Sequence, residues 1–418
     1  MIVEQCIDGV APDSVVSPAS GREISDVLQQ LREDAAWVLP TGGSTALTTG
    51  NAVGRVPVQM DLTGLAGILE YEPADLTVSV RAGTRWSELI ATLSANGQTI
   101  PIDVPFPEKA TVGGVVATGW AGPRRMRDGT IKDLLIGASY VRGDGLIAKA
   151  GGMVVKNVSG FEIPRLLHGS YGSLAVITSV NLKVIPSHES ELTLLSERVL
   201  FREAVDDVVR LTRSEATVAA AVVDGSGDDA EIAIRLSGRA RPIRELEDRI
   251  RLEHGQLQLS NSLEEADSAQ WWQRRSDTLA TAHDDRVMIE VGSTPSSIGN
   301  LLKRLRERLY GADDAKYDVS PGTGSVTLAL PAAALDHASW QQVWEQAGLS
   351  GGARYVVFHA PRAWRSGSQV WSIPEDQRSI MGALKHQFDP EHRLNRGRLW
   401  DSLPSTSPTD LETMESIT

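Results

Sequence analysis

The chain is 418 residues long, 41% hydrophobic and 23% charged, with a formal net charge of −13 at pH 7; the length predicts two domains, and the acidic balance excludes a nucleic-acid partner. A single cysteine, Cys6, excludes an internal disulfide framework and an all-cysteine iron–sulfur cluster within the chain. No apolar run approaches the ~20 residues of a membrane span, and Met1-Ile-Val-Glu-Gln-Cys lacks the basic and apolar regions of a signal peptide, so the expected location is the cytoplasm.

The predicted elements begin with a helix. Ser20-Gly-Arg-Glu23 has capping-box spacing, and Ile24, Val27, Leu28 and Leu31 then fall on one helical face. A strand, Ala36-Trp-Val-Leu, leads into the loop Pro40-Thr-Gly-Gly-Ser-Thr45. Leu76-Thr-Val-Ser-Val reads as a strand, followed by a helix through Trp86, Leu89, Ile90 and Leu93 that Gly97 closes. A second glycine-rich loop runs from Thr111 to Gly122, and strands are predicted over 133–141 and 174–184.

Pro186 and the polar Ser-His-Glu-Ser-Glu run mark a boundary. Beyond it, alternating strands appear at Ile232/Ile234/Leu236, Val287/Ile289/Val291 and Val326/Leu328/Leu330. Between them Thr294-Pro295 opens a helix carrying Ile298, Leu301, Leu302, Leu305 and Leu309, which Gly311 closes. Pro321-Gly-Thr-Gly reads as a turn, and Trp271-Trp272 as core or interface. The last residues, rich in Ser, Thr, Pro and acids, read as a disordered tail.

The two glycine loops carry the chemistry. Glycine lets successive N–H groups converge on an anion, and Ser and Thr hydroxyls add donors. Neither loop has the Gly-x-Gly-x-x-Gly spacing of a Rossmann site or the Gly-Lys-Ser/Thr of a P-loop. Order adds weight: Asp61-Leu-Thr-Gly, Val80-Arg-Ala-Gly-Thr, Pro105, Thr111-Val-Gly-Gly and Thr118-Gly119 come in turn. Gly122-Pro-Arg-Arg, Gly129-Thr-Ile-Lys-Asp133, Gly137, Val155-Lys-Asn-Val-Ser-Gly and Gly169-Ser-Tyr-Gly-Ser-Leu-Ala-Val-Ile-Thr178 follow.

On these residues the chain resembles the FAD-binding fold of the p-cresol methylhydroxylase (PCMH) and vanillyl-alcohol oxidase superfamily. Within it, Gly122-Pro-Arg-Arg, Lys156-Asn157 and Tyr171 are most similar to the smaller FAD-binding subunit of bacterial glycolate oxidase. The resemblance spans about 17–186 and returns at Phe388-Asp-Pro and Leu394-Asn-Arg-Gly-Arg-Leu. It implies an α+β two-domain flavoprotein: a PCMH-type FAD-binding domain of two α+β subdomains over 1–188, and an α+β cap with a mainly antiparallel sheet over 189–384. A segment over 385–402 returns to the FAD domain, and 403–418 is tail. Departures are Asp128 for Tyr, Phe161-Glu162 for Tyr-Asp, Ala175 for Gly and Arg396 for Pro.

The resemblance also implies site residues. Pro40, Thr41, Gly42, Gly43, Ser44 and Thr45 would hold the pyrophosphate of a noncovalent FAD. Thr111, Gly113, Gly114, Thr118 and Gly119 would form a second wall whose bare backbone lets the dinucleotide lie flush. Pro105, Gly122, Ile131, Asp133 and Asn395 are further contacts, with Val176 and Ile177 on the adenine side. Arg124, Arg125 and Lys156 are candidate cations beside the flavin, where positive charge stabilises the reduced anion; the alternative for each is a surface ion pair.

No His-x-His cluster of the kind that binds metal in the larger subunits occurs among the eight histidines, so no metal is expected. His386 and His392 read as flanking a capped turn, and His359 as either a general base or a structural histidine. Three readings stand open. The chain is a FAD-binding oxidoreductase subunit of a glycolate-oxidase-type complex, beside a larger flavoprotein and an iron–sulfur subunit, with any contact to the inner membrane made through them; or it is a self-sufficient FAD-linked dehydrogenase or oxidase of an alcohol or 2-hydroxy acid; or it is a flavin-free scaffold.

Overall fold

The computed structural model describes residues 7–32, 36–153, 161–281, 283, 285–309, 314–334, 337–346, 352–365 and 370–399. Cys6, Lys156, Asn157, Gly311 and the tail lie outside them.

The chain opens with a three-stranded parallel sheet in which Val56–Asp61 lies between Pro12–Val16 and Val38–Thr41. Parallel strands need a crossover, and helix Gly21–Gln30 supplies it. Its start is the expected cap: Ser20 Oγ accepts from the Glu23 amide at 3.2 Å, and Glu23 Oε2 accepts from the Ala19 amide at 3.0 Å. Ile24 and Leu28 on its inner face pack on Val38, Met60, Val141 and Val176.

A five-stranded antiparallel sheet stands beside it, in the order Ile68–Glu72, Thr77–Arg81, Ala175–Lys183, Leu135–Arg142, Ile147–Gly151. Helices Trp86–Ser94 and Val112–Thr118 bury Leu89, Leu93, Val112 and Val116 against Val78, Val80, Val180 and Leu182. The strand expected from 133 starts two residues later. Residues Ile131–Leu134 form a helical turn instead, because Thr130 and Asp133 cap it reciprocally. The stretch from 111, read as a loop, likewise holds a helix, capped by Thr111 and ended by the left-handed Gly119.

The second half is built on a nine-stranded antiparallel sheet. Its order is Leu259–Glu264, Ser190–Ser196, Asp229–Gly238, Ala220–Ser226, Lys316–Ser320, Ser325–Pro331, Arg286–Gly292, Arg354–His359, with Val199–Leu200 beside the third. Alternation sorts its faces. Ile232, Ile234, Leu236, Val287, Ile289 and Leu328 join helices Phe201–Ser214, Ala240–Glu253 and Ile298–Arg308 in one core. Ala220, Val222 and Ala233 meet Trp272 of helix Glu265–Ala280 on the opposite face.

The chain then returns to the first half. Lys385 and Phe388 end helix Glu375–Phe388; Phe388 joins the core of the five-stranded sheet, and Lys385 Nζ donates to the carbonyls of Ser173 at 2.6 Å and Leu394 at 2.9 Å. Leu394 bridges in parallel to Val38 and extends the three-stranded sheet.

Between the halves lies a buried ionic network. Arg235 Nη1 donates to Asp103 at 2.8 and 2.9 Å and Nη2 to Glu191 at 2.7 Å. Arg124 Nε and Arg127 Nε both donate to Asp128, at 3.1 and 2.7 Å, and Arg127 Nη1 reaches the Ser237 carbonyl at 2.9 Å. Burial alone would raise the Asp128 carboxyl, but Arg127 and Arg124 hold it below its ordinary value. Arg235 and Arg127, the latter held by Asp128, thus tie the halves together. Arg124, expected as a cation beside the cofactor, is committed to this network and does not border the cavity described next.

Candidate cofactor site

A cavity of about 410 Å³ lies where the two halves face each other. The expected residues from Pro40 to Thr45, then Pro105, Thr111, Gly113, Gly114, Thr118, Gly119, Gly122 and Arg125, and finally Val176, Ile177 and Asn395, all line it. Ile131 and Asp133 do not. Ile131 is fully buried in the core of the five-stranded sheet. Asp133 Oδ2 accepts from the Thr130 amide at 2.8 Å, which with the Thr130 hydroxyl keeps the carboxyl below its usual range.

The two glycine stretches do different work. Among the described residues, the amides of Gly42, Gly43, Ser44 and Thr45 donate no hydrogen bond within the protein. Ser44 adopts a left-handed conformation, φ 59°. A row of unspent N–H groups on a cavity wall is an anion cradle. In the second stretch the donors are spent: Gly113 N–H goes to Ala82 O at 2.8 Å, and Gly119 N–H to Val115 O at 3.0 Å. Gly114 N–H goes to Thr111 Oγ1 at 3.3 Å, and the Thr118 hydroxyl to Gly114 O at 2.9 Å.

The glycines' missing side chains do not open space for a ligand, as the sequence reading has it. A Cβ on Gly42 would stand 2.1 Å from Thr111 Oγ1, on Gly43 1.7 Å from the Lys109 carbonyl oxygen, and on Gly113 2.7 Å from Ala82 Cβ. Glycine is needed because the two stretches press on each other and on the neighbouring strand. The close approach is protein to protein.

Asn395 closes one side. Its backbone is left-handed, φ 47°, its Nδ2 donates to the Tyr171 carbonyl, and its buried Oδ1 has no partner. An acceptor so placed costs free energy that a ligand N–H would relieve once the side chain turns toward the cavity. Tyr171, also left-handed, packs edge-on against Trp371 with ring centroids 5.0 Å apart, and burial holds its phenol protonated far above the ordinary range.

The wall across from the glycine loops comes from the nine-stranded sheet and helix Glu265–Ala280, and the sequence reading did not find it. Arg275 pairs with Asp318, and Arg125 Nη1 stands 3.6 Å from Glu290 Oε1, which also accepts from Ser325 Oγ at 2.9 Å. Asp318 and Glu290 each lie opposite Thr327 in register, and Asp224 lies opposite Asp318, so three carboxylates share one cross-sheet row. Burial pushes the Asp318 carboxyl up to about 6, against the pull of Arg275, and Asp224 adds to the rise. Only strand register could have grouped these residues.

His359 is not on this wall. It ends strand Arg354–His359, buried, with Nε2 2.7 Å from the His283 carbonyl oxygen and 2.9 Å from its amide nitrogen. His386 and His392 stack at 6.5 Å around Asp389, outside the cavity. Among the described residues no three His, Cys, Asp or Glu side chains converge as metal ligands.

Unspent amides on one wall and an orphaned acceptor on another fit a flavin dinucleotide, with its anionic linker and polar ring edge. The comparisons agree: residues 12–161 match the family model described as FAD binding domain. Residues 12–161 thus form a FAD-binding domain of PCMH type, similar to that of the FAD-linked oxidases, and FAD is the cofactor it implies. It is 34% identical over 186 residues to glycolate oxidase subunit GlcE of Escherichia coli (strain K12), covering 44% of this chain and 52% of that one. To glycolate oxidase subunit GlcD of Bacillus subtilis (strain 168) it is 24% identical over 427 residues, covering 93% and 89%. A solved alkyldihydroxyacetonephosphate synthase superposes with a TM-score of 0.64 at 16% identity, over 91% of this chain and 75% of that one. That likeness is one of fold.

Proposed function

We propose that this chain is the FAD-binding, electron-carrying subunit of a glycolate-oxidase-type complex that oxidises a 2-hydroxy acid, beside a larger flavoprotein and an iron–sulfur subunit. The FAD-binding-domain match over residues 12–161 contains the anion cradle, and the GlcE similarity over 44% of the chain supports the glycolate-oxidase reading. The observation that carries the subunit role is the acidic row. Both arginines that meet the sheet-side wall, Arg125 reaching over from the first half and Arg275 on helix Glu265–Ala280, already face carboxylates. A hydroxy-acid anion entering there would have to compete with Glu290 for Arg125 or leave the buried Asp318 unpaired. Oxidation of the acid is therefore assigned to the partner flavoprotein.

FAD, when bound, supplies an acceptor of hydride or of single electrons. The chain's own residues bind and orient it: the amides from 42 to 45 hold its charge, and Asn395 Oδ1 and the main chain at 113–119 shape the space beside it. No His or Cys lines the cavity among the described residues, which supports noncovalent attachment. No described helix is long and apolar enough to cross a membrane; the proposed location is the cytoplasm, with any contact to the inner membrane made by the partners.

A second reading, a self-sufficient dehydrogenase or oxidase, draws on the position of the cavity between the halves, where substrates commonly enter. One experiment separates the two. The FAD-loaded chain is mixed anaerobically with glycolate and D- or L-lactate, alone and in the complex purified from its host. Bleaching of the flavin's visible absorbance only in the complex supports the subunit; bleaching in the isolated chain supports the second reading.

A further inference from the structure

Two arginines and one aspartate are buried together beneath the first glycine loop. Asp8, with a fully buried side chain, accepts from Arg365 and from Arg398 Nη1 at 3.3 Å. Two guanidinium groups thus share one carboxylate, leaving one positive charge in excess in a place nearly closed to water. Such an excess is costly to bury and calls for a counter-charge.

The two arginines are not equivalent. Arg365 spends its donors inside the protein, Nε on the Ala360 carbonyl at 2.8 Å and Nη1 on the Gly50 carbonyl at 3.0 Å, and does not border the cavity. Arg398 lines the cavity although only 3% of its surface is exposed. Its Nη1 donates to Asp8 and to the Asn51 carbonyl at 3.1 Å, whereas Nε and Nη2 donate to nothing among the described residues. Those two nitrogens are not sealed in protein.

Arg398 is also one unit with the cradle. The Asn51 amide donates to the Arg398 carbonyl at 2.9 Å, Asn51 Nδ2 to the Gly397 carbonyl at 3.0 Å, and a Cβ on Gly50 would stand 2.5 Å from the Arg398 carbonyl oxygen. The loop that begins with free amides therefore ends wrapped around this arginine.

We infer that Arg398 is an anion-binding residue of the FAD site, its free Nε and Nη2 donating to a negatively charged part of the cofactor. Burial beside Arg365 holds the guanidinium down to about 10, still fully charged at neutral pH. The anion is either the diphosphate or the deprotonated ring of the reduced flavin and of its sulfite adduct. The inference concerns the cofactor alone and stands whether or not the chain works as a complex subunit.

The test uses the full chain, stripped of FAD and reloaded, as R398Q, R398K and R124Q. Arg124 is equally buried but lies in the inter-half network, so R124Q reports what losing any buried arginine does. FAD dissociation constants are read by fluorescence, and sulfite dissociation constants by loss of visible flavin absorbance. A diphosphate contact predicts FAD binding at least tenfold weaker in R398Q with unchanged sulfite affinity. A ring contact predicts unchanged FAD affinity and at least tenfold weaker sulfite binding. R398K, which keeps the charge but loses the forked donors, falls between wild type and R398Q, at threefold or more, and R124Q stays within twofold on both. Folded R398Q within twofold of wild type on both readings overturns the inference, as does R124Q matching its losses. If R398Q does not fold, R398K indistinguishable from wild type overturns it.

Discussion

Asp318 and Asp224 face each other on adjacent strands with Arg275 as the cation beside them, an arrangement that leaves one carboxylate without a full counter-charge. The sign of its effect on stability follows from linkage. A carboxyl raised from 3.8 to about 6 keeps its proton in the folded chain where the unfolded chain has lost it. Its contribution is therefore neutral below pH 3.8, turns destabilising as pH rises towards 6, and stays constant above. The melting temperature of wild type relative to D318N is expected to fall across that window and flatten beyond it; a flat difference from pH 4 to 7 would show that Asp318 ionises normally. Gly43 offers a second residue-scale expectation. Its substitution by Ala drives a Cβ into the Lys109 carbonyl, whereas Gly54 has nothing within 4 Å. Overpacking of this kind costs about 1–3 kcal/mol. G43A should lower FAD affinity roughly tenfold or more by this strain, and G54A should leave it unchanged in the same fluorescence titration.

Elements governed by short-range rules were legible. The Ser20 cap, the Ile24/Leu28 face, the 3.6-residue spacing from Trp86 to Leu93 and the alternation at Ile232, Val287 and Val326 each rest on residues within one turn or strand. The second glycine stretch reads as a loop because Gly113 and Gly114 weaken a helix that the Thr111 cap and packing on Val180 and Leu182 sustain. Arg275, Glu290 and Asp318 were invisible, being brought together by cross-strand register and one helix. Asp128 is legible as a departure, and its partners Arg124 and Arg127 are its near neighbours in sequence; what the sequence conceals is that Arg127 also reaches Ser237 of the far half. At the C-terminal helix, Lys385 pairs with Asp389 in full burial, and Asp389 also accepts the amides of Arg393 and Leu394 at 2.9 and 2.8 Å. D389A strands the ammonium and two amides, which costs about 3–5 kcal/mol. Chemical denaturation should show that loss together with weaker FAD binding, because Asn395 and Arg398 follow directly.

On the scale of the whole molecule, the halves are joined by ions as well as apolar contacts. Arg235 holds Asp103 of the first half and Glu191 of the second while its guanidinium lies 5.5 Å from the Trp272 ring centre. Removing it leaves two carboxylates facing each other with little water, a loss of about 3–5 kcal/mol for a buried pair. In R235A, calorimetry should resolve two transitions where wild type gives one, with FAD shifting chiefly the one that belongs to the first half. A single transition at the wild-type temperature would mean that Arg235 does not couple the halves.

The parallel bridge from Leu394 to Val38 bears on synthesis. A ribosome releases the first glycine loop some 350 residues before the strand edge beside it is covered and Arg398 slides under Asn51. A nascent chain thus displays an uncapped edge and an unfinished cradle for most of translation, and truncation just before residue 394 would recreate that state. A fragment cut before residue 394 should accordingly aggregate through its open edge rather than turn yellow.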